Sequence, residues 1–373
     1  MSTPLKIGIV CYPTVGGSGV IATEVALQAA RMGHDVHLLS YARPSRLRAG
    51  VPGLRFHQVQ VSGYPLFEFP PYDLALATRM LEVSEEAGID LFHVHYAIPH
   101  AVSAFLARSM SRDRFRFVTT LHGTDITVVG ADRAYMRPTR FAIENSDRVT
   151  AVSRFLADET VLQFGVRRPI EVIPNFVDTQ RYQPNDKPRY YDRPDHERVV
   201  VHASNFRPVK RLADVVRAFG AIAKRVPARL ILIGDGPDRE HAAAVAADQG
   251  CRDRVEFVGA TNAPEKVLAD ADLFLLASET ESFGLVLLEA MSCGVPCAST
   301  EVGGVREVLG DTGALVPPGS PEALANAALR FLDDPDLHRQ QREASRARAV
   351  EHFEQARIVA RYLEVYREVV AGP

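Results

Sequence analysis

The chain opens with compact apolar runs that alternate with amphipathic stretches. Lys6-Ile7-Gly8-Ile9-Val10-Cys11 is a continuous apolar run, as in a strand buried on both faces of a parallel sheet. The glycine-rich segment Gly16 to Gly19 follows, and from Ile21 to Arg31 apolar positions recur at helical spacing until Gly33 stops them. A second strand, Asp35 to Leu39, completes a βαβ opening. Strand-like runs recur at Leu91 to Val94, Phe117 to Leu121, Arg148 to Val152 and Glu171 to Ile173. Helical stretches such as Asp73 to Ala87 and Ala101 to Met110 separate them.

The rhythm breaks between about Asn175 and Arg198, where Gln183 to Pro188 and Tyr190 to Pro194 are polar and proline-rich, as in a connector. It then restarts with strands at Val199 to Ala203, Arg229 to Gly234, Val255 to Val258 and Leu273 to Leu276. Helices are expected at Leu212 to Lys224 and Leu285 to Cys293. The pattern predicts an α/β protein of two doubly wound, Rossmann-like domains, residues 1–178 and 198–354, joined by a linker at 179–197 and facing across a cleft. The Ala/Arg/Glu-rich tail is helical, and 355–373 is expected to cross back to the first domain.

Length supports two domains, because 373 residues exceed one ordinary core. Hydrophobic residues at 46% and charged residues at 24% describe a soluble globular chain. A net charge of -3 gives no global attraction to nucleic acid or to an acidic membrane, so any functional cations act locally. Cys11, Cys251, Cys293 and Cys297 are too few and scattered for a disulfide framework, which suits a reducing compartment. Without a signal peptide or an apolar run of about 18 residues, the expected location is the cytoplasm, with no stable membrane insertion. The sequence leaves self-association into a homo-oligomer open.

Three segments carry candidate chemistry. Within Thr14 to Ala22 lies the spelling G-x-G-x-x-A of a dinucleotide-binding loop. However, Gly16 comes five residues after the strand, and the second strand ends in His37-Leu38-Leu39-Ser40-Tyr41, with no acidic residue for a ribose hydroxyl. What survives is a flexible loop whose amides, at a helix N-terminus, can face an anion. Asn205 to Arg211 follows the second domain's first strand, where ligands bind in open α/β sheets. There Arg207 offers a bidentate fork to a diphosphate and Lys210 a compact charge. The third segment, Glu281 to Ala290, opens a helix. Glu281 and Glu289, eight residues apart, would lie about 12 Å apart along a helix. A glycosidase pair needs about 5 Å, or under about 9.5 Å, so these carboxylates are expected to grip different parts of one ligand. The amides of Phe283, Gly284 and Leu285 lie between them.

Glu281 to Glu289 resembles the E-x7-E motif of retaining GT-B glycosyltransferases of family 4. The glycine loop, the Arg207/Lys210 pair and the two-domain layout match that family over essentially the whole chain. The resemblance implies that Glu289 holds the ribose hydroxyls, that Glu281 contacts the transferred sugar, and that Arg207 and Lys210 neutralise the leaving diphosphate with Gly16, Gly17 and Ser18. It places His122 beside the donor sugar as a hydrogen-bonding group, and calls for no metal and no cofactor beyond the sugar nucleotide.

A narrower resemblance covers Cys11 to Gly19, His93 to Ala101, Thr119 to Thr127, Ser204 to Arg207 and Glu281 to Pro296. It is to the branch that transfers N-acetylglucosamine from UDP-N-acetylglucosamine to L-malate in bacillithiol biosynthesis. A dicarboxylate acceptor needs donors, and Ser18, Tyr96, Thr119 and Thr120 lie where an acceptor would sit. Arg140 could add a full charge, with Arg137 and Arg148 as rivals.

His93 and His95 share a strand face, a zinc-like feature, yet no third ligand falls at a recognisable spacing. One of them is expected to pack against a helix. The cysteines have no accompanying base and read as core. Three other classes stay open: a nicotinamide dehydrogenase, a non-catalytic two-domain binding protein, and a same-fold transferase directed to another small or lipid acceptor. For the lipid case Arg43 to Arg48 is the candidate membrane contact.

Overall fold

The computed structural model describes residues 3–372 apart from 15, 48–49, 64, 67, 112–114, 186–193, 195 and 262. The chain divides into two compact units, Met1–Asn175 with Ala356–Pro373, and Phe176–Gln355.

In the first unit the described residues form seven strands: β1 (Lys6–Val10), β2 (Asp35–Ser40), β3 (Leu54–Gln58), β4 (Leu91–His95), β5 (Arg116–Leu121), β6 (Arg148–Ala151) and β7 (Ile170–Val172). All pair in parallel, in the order 3-2-1-4-5-6-7. Parallel strands need crossovers, and these are α1 (Ser18–Arg31), α2 (Tyr72–Ala87), α3 (Val102–Met110), α4 (Met136–Asn145) and α5 (Arg154–Phe164). One core packs Leu76, Met80 and Val83 of α2 and Ala104 and Ala107 of α3 with Val10, Phe92, Val94 and Phe117 of the sheet. Each fully buried aliphatic or aromatic side chain there contributes roughly 1.5–3 kcal/mol. Because the strand order reverses between β1 and β4, their carboxyl ends open a crevice.

The second unit repeats the winding. Its described strands β8 (Arg198–Ala203), β9 (Ala228–Ile233), β10 (Val255–Gly259), β11 (Leu273–Leu276), β12 (Cys297–Thr300) and β13 (Ala314–Val316) lie in the order 10-9-8-11-12-13. The reversal falls between β8 and β11. The helices are α6 (Leu212–Ile222), α7 (Arg239–Asp248), α8 (Pro264–Ala269), α9 (Leu285–Ser292), α10 (Val305–Leu309), α11 (Pro321–Asp333) and α12 (Pro335–Phe353). Residues 186–193 and 195 of the proline-rich connector lie outside the described residues. Its first part is no free tether. Tyr182 is buried, its carbonyl accepts from Ser292 and Arg346, and Arg181 pairs with Glu265 at 3.0 Å.

Helix α13 (Gln355–Ala371) belongs, from Ala356 on, to the first unit. Tyr362 and Tyr366 on it are fully buried. Tyr366 Oη lies 2.6 Å from His93 Nδ1, and His93 Nε2 lies 2.6 Å from Thr120 Oγ1. Arg361 pairs with Glu171 at 2.6 Å and Arg148 with Glu368 at 3.0 Å. Among the described residues no helix is long and apolar enough to cross a membrane.

The His93–Tyr366 bond gives a direct test of how α13 is held. Tyr366→Phe strands a buried ring nitrogen and is expected to cost about 1–3 kcal/mol, read as a lower urea midpoint. An unchanged midpoint would show that apolar packing alone holds the helix.

Candidate active site

The glycine segment after β1 is shorter than its spelling suggests. Helix α1 starts at Ser18, three residues before the expected Ile21, so Ser18 and Gly19 already belong to its first turn. Gly17 caps it with φ 60°, and Thr14 Oγ1 donates to Gly16 O at 2.8 Å while accepting from the Gly19 amide at 3.2 Å. A Cβ on Gly19 would lie 2.4 Å from Thr14 Oγ1 and 2.5 Å from Tyr12 O, so only glycine lets the helix start this close to the strand. Gly16 and Gly17, by contrast, are exposed, with open space around them. The Thr14 hydroxyl and the close approach at Gly19 thus fix where the helix starts.

Ser18 Oγ donates to Tyr96 Oη at 2.7 Å, which joins the start of α1 to the residue after β4. Tyr96 sits at φ 89°, a left-handed conformation that costs a side chain about 1–3 kcal/mol. Its ring centroid is 5.3 Å from that of His122, after β5, and 5.6 Å from that of Tyr12. Asp125 braces these turns, accepting from the amides of Ala97 and Gly123 at 2.9 Å and of His122 at 3.1 Å. Burial pushes its carboxyl up to about 6 while those amides pull it down, so it is ionised at neutral pH.

Ser18, Tyr96 and His122 therefore form one group. Thr119 and Thr120 do not join it. Both are fully buried, Thr119 Oγ1 against Ser146 Oγ at 2.7 Å and Thr120 Oγ1 against Thr150 Oγ1 at 2.6 Å, so neither hydroxyl is available to an acceptor. Arg140 and Arg137 are exposed on α4, and no contact among the described residues ties either one to Tyr96 or His122. Arg148 is engaged by Glu368 and Glu171.

In the second unit the turn after β8 is held by its neighbour after β9. A Cβ on Gly234 would lie 1.8 Å from Ser204 O, and one on Gly236 would lie 2.2 Å from Asn205 O. Phe206, fully buried, takes φ 43°. This turn leaves Arg207 exposed and carries Lys210 on the short helical turn Pro208–Lys210. Lys210 Nζ donates to Glu281 Oε1 at 2.5 Å, and Ser278 Oγ donates to the same oxygen at 3.0 Å. The Glu279 amide donates to Val209 O at 2.8 Å, which ties the turn after β8 to the one after β11.

The two glutamates are not separated by eight residues of helix. Gly284, at φ 93°, caps α9, and Glu281 lies in the turn before it, so only Leu285 onward is helical and helical rise does not set their separation. Glu289 is half-buried on α9. Phe283 is buried with its ring 5.8 Å from Phe353. The amides of Phe283, Gly284 and Leu285 make no backbone hydrogen bond among the described residues, as expected where a helix begins.

Comparison with known proteins identifies the family. The profile described as "Glycosyltransferase Family 4" matches residues 15–181, and that of "Glycosyl transferases group 1" matches residues 185–348. The N-acetyl-alpha-D-glucosaminyl L-malate synthase of Bacillus anthracis is 46% identical over 371 residues, covering 98% of this chain and 97% of its own. The chain belongs to the family 4 glycosyltransferases. Among solved structures, sucrose-phosphate synthase from Thermosynechococcus elongatus superposes on it with a TM-score of 0.83 at 23% identity, covering 98% of this chain and 99% of that one. Anabaena Alr3699/HepE in complex with UDP and glucose gives 0.80 at 21%, covering 98% and 100%. These neighbours share the GT-B fold of two parallel-sheet α/β domains.

This glycosyltransferase is thus neither a nicotinamide dehydrogenase nor a non-catalytic binding protein. Among the described residues no group of three or more His, Cys, Asp or Glu side chains is arranged to hold a metal ion. Cys11 is buried, its thiol pushed up to about 12, so it carries no nucleophilic thiolate. In the suspected membrane segment Arg46 pairs with Glu24 and Leu47 is buried, while Arg48 lies outside the described residues. Sequence reasoning passed over Ser278 and the Gly234-Asp235-Gly236 turn. The signal for the turn was two glycines directly after an apolar strand.

Two outcomes follow for the glycosyltransferase. Gly19→Ala forces backbone apart and should cost about 1–3 kcal/mol, while Gly16→Ala should stay within about 0.5 kcal/mol, both by chemical denaturation. Desolvation holds His93 and His122 at about 3, and His100 and His202 at about 4. The unfolded chain takes up these protons below about 6.5, so this stability is complete above that pH and is lost as pH falls toward the folded values. The thermal midpoint should fall by on the order of 10 °C between pH 7 and pH 5. A flat profile would mean that protons reach these imidazoles in the folded state.

Proposed function

We propose that this glycosyltransferase moves N-acetylglucosamine from UDP-N-acetylglucosamine to the hydroxyl of L-malate. The α-configuration is retained, no metal is required, and the setting is the cytoplasm. The observation that carries the reading is the 46% identity, over 98% of the chain, with a relative of that name.

A UDP leaving group needs its growing negative charge stabilised, and fixed cations and amides in a site shielded from water can supply several kcal/mol. Arg207 and Lys210 take that role, supported by the amides of Phe283, Gly284 and Leu285. Glu281 Oε1 is taken by Lys210 and Ser278, and Oε2 is left for a hydroxyl of the transferred sugar. Glu289 holds the ribose. In the first unit the Gly16 and Gly17 amides serve an anionic group and His122 the sugar. With Thr119 and Thr120 closed off, the acceptor's oxygens fall to Ser18, Tyr96 and Arg140. The malate hydroxyl attacks C1 on the face from which UDP departs. As the C1–O bond to UDP breaks, the hydroxyl proton passes to a phosphate oxygen.

The test is UDP release from UDP-N-acetylglucosamine against a panel of small acids and alcohols. Release should depend on malate and persist in excess chelator, and Arg207→Ala or Lys210→Ala should lower kcat by about 100-fold or more. Release that ignores malate would end the substrate assignment, and near-normal turnover in both variants would end the assigned roles.

A further inference from the structure

His122 has a neighbour that no part of the transfer chemistry uses. His95, at the end of β4, is fully buried, and its Nδ1 lies 2.8 Å from His122 Nε2. The two ring centroids are 5.0 Å apart with the planes 27° from parallel, and the His93 ring centroid lies 4.2 Å from that of His95. His95 Nε2 is buried without a hydrogen-bond partner. His122 Nδ1 makes no hydrogen bond among the described residues, and His122 is partly buried at its turn. Burial keeps both rings neutral, so each carries one proton.

Only two proton arrangements satisfy the contact. In one, His95 donates from Nδ1, His122 accepts at Nε2, and the His122 proton stays on Nδ1. In the other, His122 donates from Nε2, and the His95 proton is left on its own buried, partnerless Nε2. The second strands an N–H donor in the core, whereas the first strands only a lone pair, and orphaned buried N–H groups are the rarer and costlier defect. The adjacent His100 shows that the site accommodates the first kind. Its Nδ1 faces His95 O, a carbonyl that can only accept, so its buried Nε2 is bare and equally partnerless.

We propose that His95 is a positioning residue that fixes His122 as its Nδ1–H tautomer, so that His122 presents a hydrogen-bond donor at the crevice. The partner of that donor is an oxygen of the transferred sugar, and this clause alone rests on the proposed transfer reaction. The tautomer itself rests on the geometry.

The experiment is a long-range proton–nitrogen correlation spectrum of the full-length, ¹⁵N-histidine-labelled protein at pH 8, assigned with His95→Asn and His122→Gln. His122 should show a protonated Nδ1 and a bare Nε2. A proton on His122 Nε2 overturns the proposal, whatever the protein transfers. In the kinetic arm, His95→Leu removes the donor, whereas His95→Asn places an amide N–H where Nδ1 stood. His95→Leu should lower kcat about tenfold or more with the malate KM within about twofold, and His95→Asn should return kcat to within about threefold of the parent. If His95→Asn keeps the His122 Nδ1 proton yet recovers no activity, the positioning role is wrong. If no acid in the panel supports transfer, the substrate reading fails and the spectrum still decides the tautomer.

Discussion

The chemistry of this chain hangs on one topological constraint, the reversal of strand order beside β1 and again beside β8. A parallel sheet covers both of its faces with crossover helices, so its only open ground is at the strand ends. Where the winding changes direction, adjacent crossovers leave for opposite faces and the ends between them stay uncovered. In the first unit that ground holds the turns after β1 and β4, with Ser18 and Tyr96 joined across them. In the second it holds the turns after β8 and β11, with Lys210 and Glu281 joined likewise.

Such turns have no core of their own, and the structure stiffens them in three ways. Backbone is driven close to backbone where only glycine fits, at Gly19, Gly234 and Gly236. Single carboxylates gather several donors, as Asp125 does with three amides and Glu281 with a lysine and a serine. Imidazoles are held neutral by burial and used as hydrogen-bonding struts, His93 toward α13 and His95 toward His122. The last of these devices carries a cost in acid, since each buried imidazole resists the proton that the unfolded chain would accept.

Much of this was readable from sequence, and the failures have physical causes. Strands such as β1 and β11 announce themselves as continuous apolar runs because both faces are buried. Edge strand β3, Leu54–Gln58, was missed because its polar residues Arg55, His57 and Gln58 interrupt any such run. Strands β12 and β13, of four and three residues, are too short to show a period. Residue type alone singled out Lys210 and Glu281, and the structure joins the two. The candidate site was misjudged where orientation decided. Thr119 and Thr120 sit near a strand end in sequence, yet both side chains point into the core. The Glu281–Glu289 spacing misled because Gly284 takes a left-handed conformation that starts the helix late. The pairing of His93 and His95 on one strand face was correct, but their partners, Tyr366 and His122, come from distant segments that no local pattern reveals.

The central claim is that the second unit's switch-point turn binds a diphosphate through Arg207 and Lys210. Calorimetric titration of UDP against uridine, in the parent protein and in an Arg207→Ala/Lys210→Ala variant, tests it without requiring turnover. Charge-assisted hydrogen bonds of this kind predict that the parent prefers UDP over uridine by about 100-fold or more, and that the variant loses most of that preference while still binding uridine. An equal preference in both proteins would place the diphosphate elsewhere and contradict the account.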